Sequence, residues 1–172
     1  MNVCEFSVGQ NVVYGIHGLC CIEDIKTMSL SSALPPQEYY ILRQISKNSL
    51  IYVPTQSESG KSKIREVLTR ENIDEILYEL RGKKMEWNYD RKERVNRFRE
   101  ILSGGINSEM ILMIRCIYLQ KKEFYDAKKK LSGSDDDMLQ TALRIVKEEF
   151  AYVLGIDESE VEDYIRSKID DL

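Results

Sequence analysis

Ser62-Lys63-Ile64-Arg65-Glu66-Val67-Leu68-Thr69-Arg70-Glu71-Asn72-Ile73-Asp74-Glu75-Ile76-Leu77-Tyr78-Glu79-Leu80-Arg81-Gly82 is the stretch in which the chain changes its physical character. Its opening, Ser62 to Val67, reads as a last short strand. From Thr69 onward Ile73, Ile76, Leu77 and Leu80 recur at three- and four-residue intervals, which places them along one face of a helix, and Gly82 is well placed to end it. Strand chemistry therefore lies before this point and helix chemistry after it, which predicts an α+β protein with one domain over residues 1–67 and another over residues 68–172.

Working back toward the N-terminus, Phe6 to Pro54 is rich in β-branched and aromatic residues and is interrupted by Gly9, Gly15, Gly18, Pro35 and Pro36. Strands are expected near Asn11 to Tyr14, Cys20 to Thr27, Glu38 to Ser46 and Leu50 to Pro54, with Met28 to Gln37 as an exposed loop. Strands this short bury enough surface only by curling into a small Tudor-like or SH3-like β-barrel, which also removes most of their unpaired edges.

Working forward, the chain reads as an all-helical domain of about five helices. Val95, Phe98, Ile101 and Leu102 mark a second helix that stops at Ser103-Gly104-Gly105. Met110, Ile114, Ile117, Tyr118 and Tyr125 mark a third, capped by Asn107 or Ser108. A fourth opens at Ser134, with Asp135, Asp136 and Asp137 complementing the positive end of its dipole, and buries Leu139, Ala142, Leu143, Val146 and Phe150 before Gly155 ends it. Val161, Tyr164, Ile165 and Ile169 form a short final helix begun by Asp157 or Ser159. Each helix has one apolar stripe, so the helices must pack on each other or on the barrel.

Composition excludes several classes of function. With 42% hydrophobic and 31% charged residues the chain should fold as an ordinary globular protein. No apolar run reaches the roughly twenty residues of a membrane helix, and the start MNVCEFSVGQ lacks the layout of a secretory signal, so a cytoplasmic protein is expected. Cys4, Cys20, Cys21 and Cys116 offer neither a CxxC pair nor a disulfide framework. His17 is near Cys20 and Cys21, but neighbouring strand residues point to opposite faces, so no metal is expected there. His17, the one histidine, lies in Gly15-Ile16-His17-Gly18, reads as a turn residue bonded to nearby backbone, and has no nucleophile motif beside it. Neither GxxxxGK[ST] nor GxGxxG occurs. The expectation is a non-catalytic binding protein without cofactor or small-molecule substrate.

A net charge of −4 conceals an uneven distribution. Arg81, Lys83, Lys84, Arg91, Lys92, Arg94, Arg97 and Arg99 crowd one segment, whereas carboxylates dominate from Ser132 to the end. The basic segment could face phosphates while the acidic end limits indiscriminate binding. Lys92 and Arg99 share one flank of the second helix and Arg97 the other, so they form no single stripe. Within the segment stands Trp87, the only tryptophan, either a core anchor or an exposed wedge able to stack on a base.

The string Phe6-Ser7-Val8-Gly9-Gln10-Asn11-Val12-Val13-Tyr14-Gly15-Ile16-His17-Gly18, followed by Ile22-Glu23-Asp24-Ile25, resembles the opening of the CarD/CdnL family of bacterial transcription regulators. Glu38-Tyr39-Tyr40-Ile41-Leu42 and Val53-Pro54 resemble its later barrel strands. Trp87, Ser103-Gly104-Gly105, Leu131-Ser132 and Ala142-Leu143 resemble features of its helical part. The resemblance implies that the barrel docks on the β subunit of RNA polymerase and that the helical domain meets promoter DNA at the upstream edge of the melted bubble. There a tryptophan wedges into the minor groove and basic neighbours hold phosphates, which stabilises the open complex. By that likeness the DNA-binding residues are Trp87, Lys83, Lys84, Arg91, Lys92 and Arg94, and the polymerase-binding positions are Met28 and Tyr52.

Met28 and Tyr52 are also where the chain departs from the family, which carries arginines there; neither can make a charge-assisted contact, so docking would either rest on shape and apolar area or be altered. The family's tyrosine-proline pair is Tyr14-Gly15 here, its SGD turn is Ser103-Gly104-Gly105, and Tyr89 competes with Trp87 for the wedge. The competing expectation is an interaction adaptor that binds polymerase or another partner without touching DNA. The polymerase-binding module of a repair-coupling translocase would share the barrel but need helicase motifs, which are absent.

Overall fold

The computed structural model describes residues 6–33, 35–61 and 63–169. They divide into two compact units, one ending at Val67 and the other beginning at Leu68.

The first unit contains β1 (Asn11–Tyr14), β2 (Leu19–Met28), β3 (Gln37–Gln44), β4 (Leu50–Pro54), the single helical turn α1 (Glu58–Lys61) and β5 (Ile64–Glu66). The strands form one five-stranded antiparallel sheet in the order β4-β3-β2-β1-β5. Alternation sends Val12, Cys20, Ile22, Tyr40 and Leu42 to one face, where they share a core with Val53 and Ile64. Val53 and Ile64 come from the two edge strands, so the sheet curls until its edges enclose one core, as a small barrel requires. A bulge between Ile22 and Asp24 bends β2 and supports that curl. α1 lies close against β4, since a Cβ added to Gly60 would stand 2.9 Å from Val53 Cγ1.

Strand ends differ slightly from expectation. β3 stops at Gln44 because its carbonyl accepts from Asn48 N–H in a turn with Asn48 at φ +53°. β2 and β3 absorb Met28 and Gln37, the expected ends of the loop. Of the expected last strand, Ser62 lies outside the described residues, as does Cys4.

The second unit contains α2 (Arg70–Glu79), α3 (Arg91–Ser103), α4 (Ser108–Asp126), α5 (Gly133–Leu154) and α6 (Val161–Lys168), the last preceded by a 3-10 turn at Glu158–Glu160. Polar caps set the helix starts. Thr69 and Asn72 form a reciprocal capping box on α2, Asp90 caps α3, Asn107 caps α4 and Asp157 caps the 3-10 turn. The fourth expected helix begins at Gly133 rather than Ser134, because Ser132 accepts from Asp135 N–H and is the cap. Gly155 ends α5 in the left-handed region at φ +68°.

Ile73, Leu77, Phe98, Met110, Met113, Ile117, Leu139 and Phe150 make one core with the apolar side of α6. Toward the beginning of the unit, Leu68 N–H donates to Glu149 Oε1 at 2.9 Å and Arg70 Nη2 donates to the Leu154 carbonyl at 3.1 Å. The expected apolar stripe of α4 needs correction: Tyr118 and Tyr125 are 43% and 81% exposed, and Leu143 of α5 is only half-buried. No helix among the described residues is long and apolar enough to cross a membrane.

Thr69→Ala removes the hydroxyl that accepts from Asn72 N–H, and should lower the stability of the helical unit by about 1 kcal/mol. Thr69→Ser should retain it, as measured by urea unfolding followed by helical circular dichroism.

Candidate nucleic-acid interface

The connection between α2 and α3, residues 80–90, is mostly polar and internally bonded. Asn88 Oδ1 accepts from Asp90 N–H at 2.8 Å, Asn88 Nδ2 donates to Glu93 Oε2 at 3.1 Å, and Asp90 caps α3 through Glu93 N–H at 3.0 Å. Trp87 is thereby delivered against the start of α3. Its ring meets Phe98 of α3 edge-on at 6.2 Å between centroids and Phe124 of α4 at 6.1 Å. Trp87 is half-buried and packs on the helical core, so it is an anchor with part of its surface left open.

The Arg94 guanidinium lies 4.2 Å from the centroid of the Trp87 ring. Arg94 is 6% exposed. Its Nε and Nη2 donate to the two carboxylate oxygens of Asp135 at 3.1 and 2.9 Å, and its Nη1 donates to the Asn88 carbonyl at 2.6 Å. Asp135 is buried in turn and also accepts from the Ser132 hydroxyl. Burial raises the Asp135 pKa, but the hydrogen bonds from Arg94 and Ser132 and the charges of Arg94 and Arg91 outweigh it, holding the carboxyl below its ordinary value of 3.8.

Two expectations change here. Arg94, expected among the phosphate contacts, faces inward and spends its donors on Asp135 and Asn88, so it positions the tryptophan loop. Asp135, expected in the first turn as a complement to the helix dipole, is also its buried counter-ion. Spacing does not reveal the pair, because a mixed-charge helix and an acidic helix start each have an ordinary surface explanation.

Lys83, Lys84, Arg91 and Lys92 are exposed around this loop. Arg91 Nη2 donates to the Ser134 hydroxyl at 3.3 Å. Arg97 is engaged by Glu100 and Glu109. Tyr89 is 76% exposed, far more than Trp87. A second basic group escapes the sequence reading: Lys128, Lys129 and Lys130 are exposed just beyond α4, and Lys129 N–H donates to the carbonyl of Phe124, the residue that supports Trp87. The run of three lysines is the available signal, but it falls between the basic segment and the acidic end. Exposed cations beside a seated aromatic can hold phosphates while the ring's open surface meets a distorted base step.

In the barrel unit, Tyr52 pairs with Ile41 and Met28 with Gln37. Both therefore point to the outer face of the sheet, opposite the buried Tyr40 and Leu42. Tyr52 is 41% exposed and lies on an edge strand. Arg43, on that same face, is held by Glu23 at 2.6 Å and by Asn48 at 2.9 Å. His17 stacks on Tyr14 with ring centroids 5.3 Å apart. Among the described residues no group of three or more His, Cys, Asp or Glu could hold a metal ion.

Comparison with known proteins gives two consecutive family matches. Residues 6–68 match the CarD-like/TRCF RID domain and residues 75–166 match the CarD C-terminal domain. The chain is also 26% identical over 159 residues to a Bacillus subtilis (strain 168) protein named "Putative transcription factor YdeB", an alignment covering 92% of this chain and 99% of that one.

Because the folded-state pKa of Asp135 is lowered, its contribution is fully present above the ordinary aspartate value and is lost as pH falls through the folded value. Trp87 fluorescence should stay constant on acidification past the ordinary aspartate range and shift only below it, whereas Asp135→Asn should show the shifted emission at neutral pH. Arg94→Met should destabilise the helical unit by about 3 kcal/mol. Arg94→Met with Asp135→Leu should regain most of that in urea unfolding without restoring the tryptophan emission.

Proposed function

This chain belongs to the CarD family, and we propose that it regulates transcription initiation by binding the β subunit of RNA polymerase through its barrel and promoter DNA through its helical unit. The single observation that carries the DNA-facing part is Trp87, held on Phe98, Phe124 and Arg94 yet only half-buried, among exposed Lys83, Lys84, Arg91 and Lys92. A ring pre-positioned in this way loses little conformational freedom on contact, and it meets the upstream edge of a bubble where base steps are already distorted. The cations supply sequence-independent phosphate contacts. Weak DNA affinity suffices, because attachment to polymerase raises the local concentration.

For the barrel, the outer face that carries Met28 and Tyr52 has no free guanidinium at those positions, and Leu50 beside Tyr52 on β4 is 42% exposed. β4 is also an edge strand of the sheet. Docking therefore relies on apolar area and on main-chain pairing along that edge, a mode of recognition in which salt matters little. The packing of Trp87 on Phe98 and Phe124 favours a second reading, in which the ring is a core anchor of an adaptor that binds polymerase or another partner while its helices never touch DNA.

Trp87→Ala should shorten the lifetime of the open complex on a promoter while leaving polymerase binding intact; equal lifetimes for the two proteins, with polymerase binding retained, would support the adaptor. Replacing Lys83 or Lys92 by alanine should reduce the salt dependence of DNA binding by roughly one unit for each phosphate left without its cation. In a pull-down with purified β subunit, Tyr52→Asp should abolish retention, and raising the salt should weaken the unsubstituted complex little.

A further inference from the structure

α4 carries more apolar surface than one core requires. Met110, Ile111, Leu112, Met113 and Ile114 are five consecutive buried residues, so the helix is covered nearly all round at its start. Farther along, Tyr118 and Leu119 are 43% and 55% exposed. They border a groove of about 520 Å³ between α4, α5 and α6, floored by Ile114, Leu143, Val146 and Ile165. Such a volume is within the usual range of roughly 300–1,000 Å³ for ligand sites.

The charge of the rim identifies the occupant. Among the described residues, Arg115, Lys122, Lys147 and Arg166 line the groove against one carboxylate, that of Glu162. Lys147 pairs with Glu162 at 2.6 Å, and Arg166 lies 3.7 Å from Glu162 and 3.6 Å from Asp163. These carboxylates thus answer the α5 and α6 side of the rim and leave α4 its positive charge. Arg115 and Lys122 are seven residues apart on one face of α4, about 10.5 Å along its axis, with Tyr118 and Leu119 between them. The exposed Glu123 follows Leu119 by four positions and is outside the residues that line the groove. An apolar trough bounded by cations two helical turns apart complements a helix with apolar residues at i, i+3, i+4 and i+7 and carboxylates flanking them.

We infer that the groove between α4, α5 and α6 binds an acidic, amphipathic helical segment of a partner protein. This surface belongs to the helical unit alone and does not depend on how Trp87 is used. Leu119 and Tyr118 enter the partner's apolar face, and Arg115 and Lys122 take its carboxylates, which sets the orientation of the bound helix and rejects basic segments.

Fluorescence anisotropy with the full chain tests this, using two labelled synthetic helices of roughly four turns. Both have leucines at i, i+3, i+4 and i+7, with glutamates at the flanking positions in one and lysines in the other. The glutamate peptide should bind at least about tenfold more tightly, and Arg115→Glu with Lys122→Glu should reverse the preference. Leu119→Ser, at an exposed position, should weaken the glutamate peptide about tenfold with circular dichroism unchanged. Equal affinity for the two peptides, binding of neither, or a preference unmoved by charge reversal would overturn the inference. So would displacement of the peptide by duplex DNA through the same residues, which would make the groove a nucleic-acid surface. Self-association in sedimentation equilibrium that Leu119→Ser abolishes would instead assign the groove to a second copy of the chain.

Discussion

The buried pair of Arg94 and Asp135 is the interaction on which the arrangement of the helical unit's basic surface depends. It joins α3 to the N-terminus of α5, and through Asn88 and the face of Trp87 it also fixes the connection that precedes α3. A buried ion pair is seldom a net source of stability, since desolvating both charges consumes most of their attraction. What an apolar pair of similar size could not supply is direction. The planar guanidinium uses its edge on the carboxylate and its face on the indole, so one side chain sets the angle of another. Ser132 closes the arrangement by capping α5 with its hydroxyl oxygen and donating its proton to Asp135. The Arg94 charge is also felt by Cys116 of α4, whose thiol burial pushes upward and Arg94 partly restores. Three helices thus converge on one cation.

Local features of this chain are legible in its sequence because their causes are local. Alternation of Val12, Cys20, Ile22, Tyr40 and Leu42, and the helical spacing of Ile73, Ile76, Leu77 and Leu80, are short-range patterns that backbone geometry imposes directly. The caps at Asn107 and Asp157 and the terminator Gly155 are likewise single-residue effects. The candidate site is less legible. Lys83, Lys84, Arg91 and Lys92 occupy exposed positions, as hydrophilic residues of a connection and a first helical turn generally do. Arg94 reads wrongly from sequence because its partner lies 41 positions away, and only the packing of α3 on α5 brings the two together. Tyr118 and Tyr125 read wrongly for the converse reason: periodicity identifies an apolar stripe but not whether anything covers it.

The basic surface is set in a protein that is acidic as a whole. Asp136 takes Lys121 at 2.8 Å and Glu109 takes Arg97, while Arg94 is consumed internally. A distributed acidic background reduces nonspecific affinity for any polyanion, which suits a protein whose DNA contact is proposed to follow attachment to polymerase. On that proposal, specific placement would come from the seated aromatic ring and from the docked barrel, and the cations would supply orientation without sequence preference.

α4 serves both proposed surfaces, so whether they communicate turns on whether this helix moves. Its Phe124 supports Trp87, and the groove rim runs along the same helix from Arg115, about 13.5 Å from Phe124 along the axis, to Lys122, two positions before it. Between them Ile117 is fully buried, as are Met110 and Met113 nearer the N-terminus. Close-packed side chains of this kind resist sliding, because a displacement of even a fraction of a turn would drive several of them off their seats together. An occupant of the groove that meets α4 through Arg115, Tyr118, Leu119 and Lys122 presses on the outer side of a helix whose inner side is locked. Without a second packing arrangement for α4 there is no two-state element for both sites to bias. The free energies of the two surfaces should therefore add, since they share no side chain and the packed side of α4 between them has no alternative seat. A partner helix in the groove would then travel with the protein to the promoter and leave the grip of Arg94 on Trp87 unchanged.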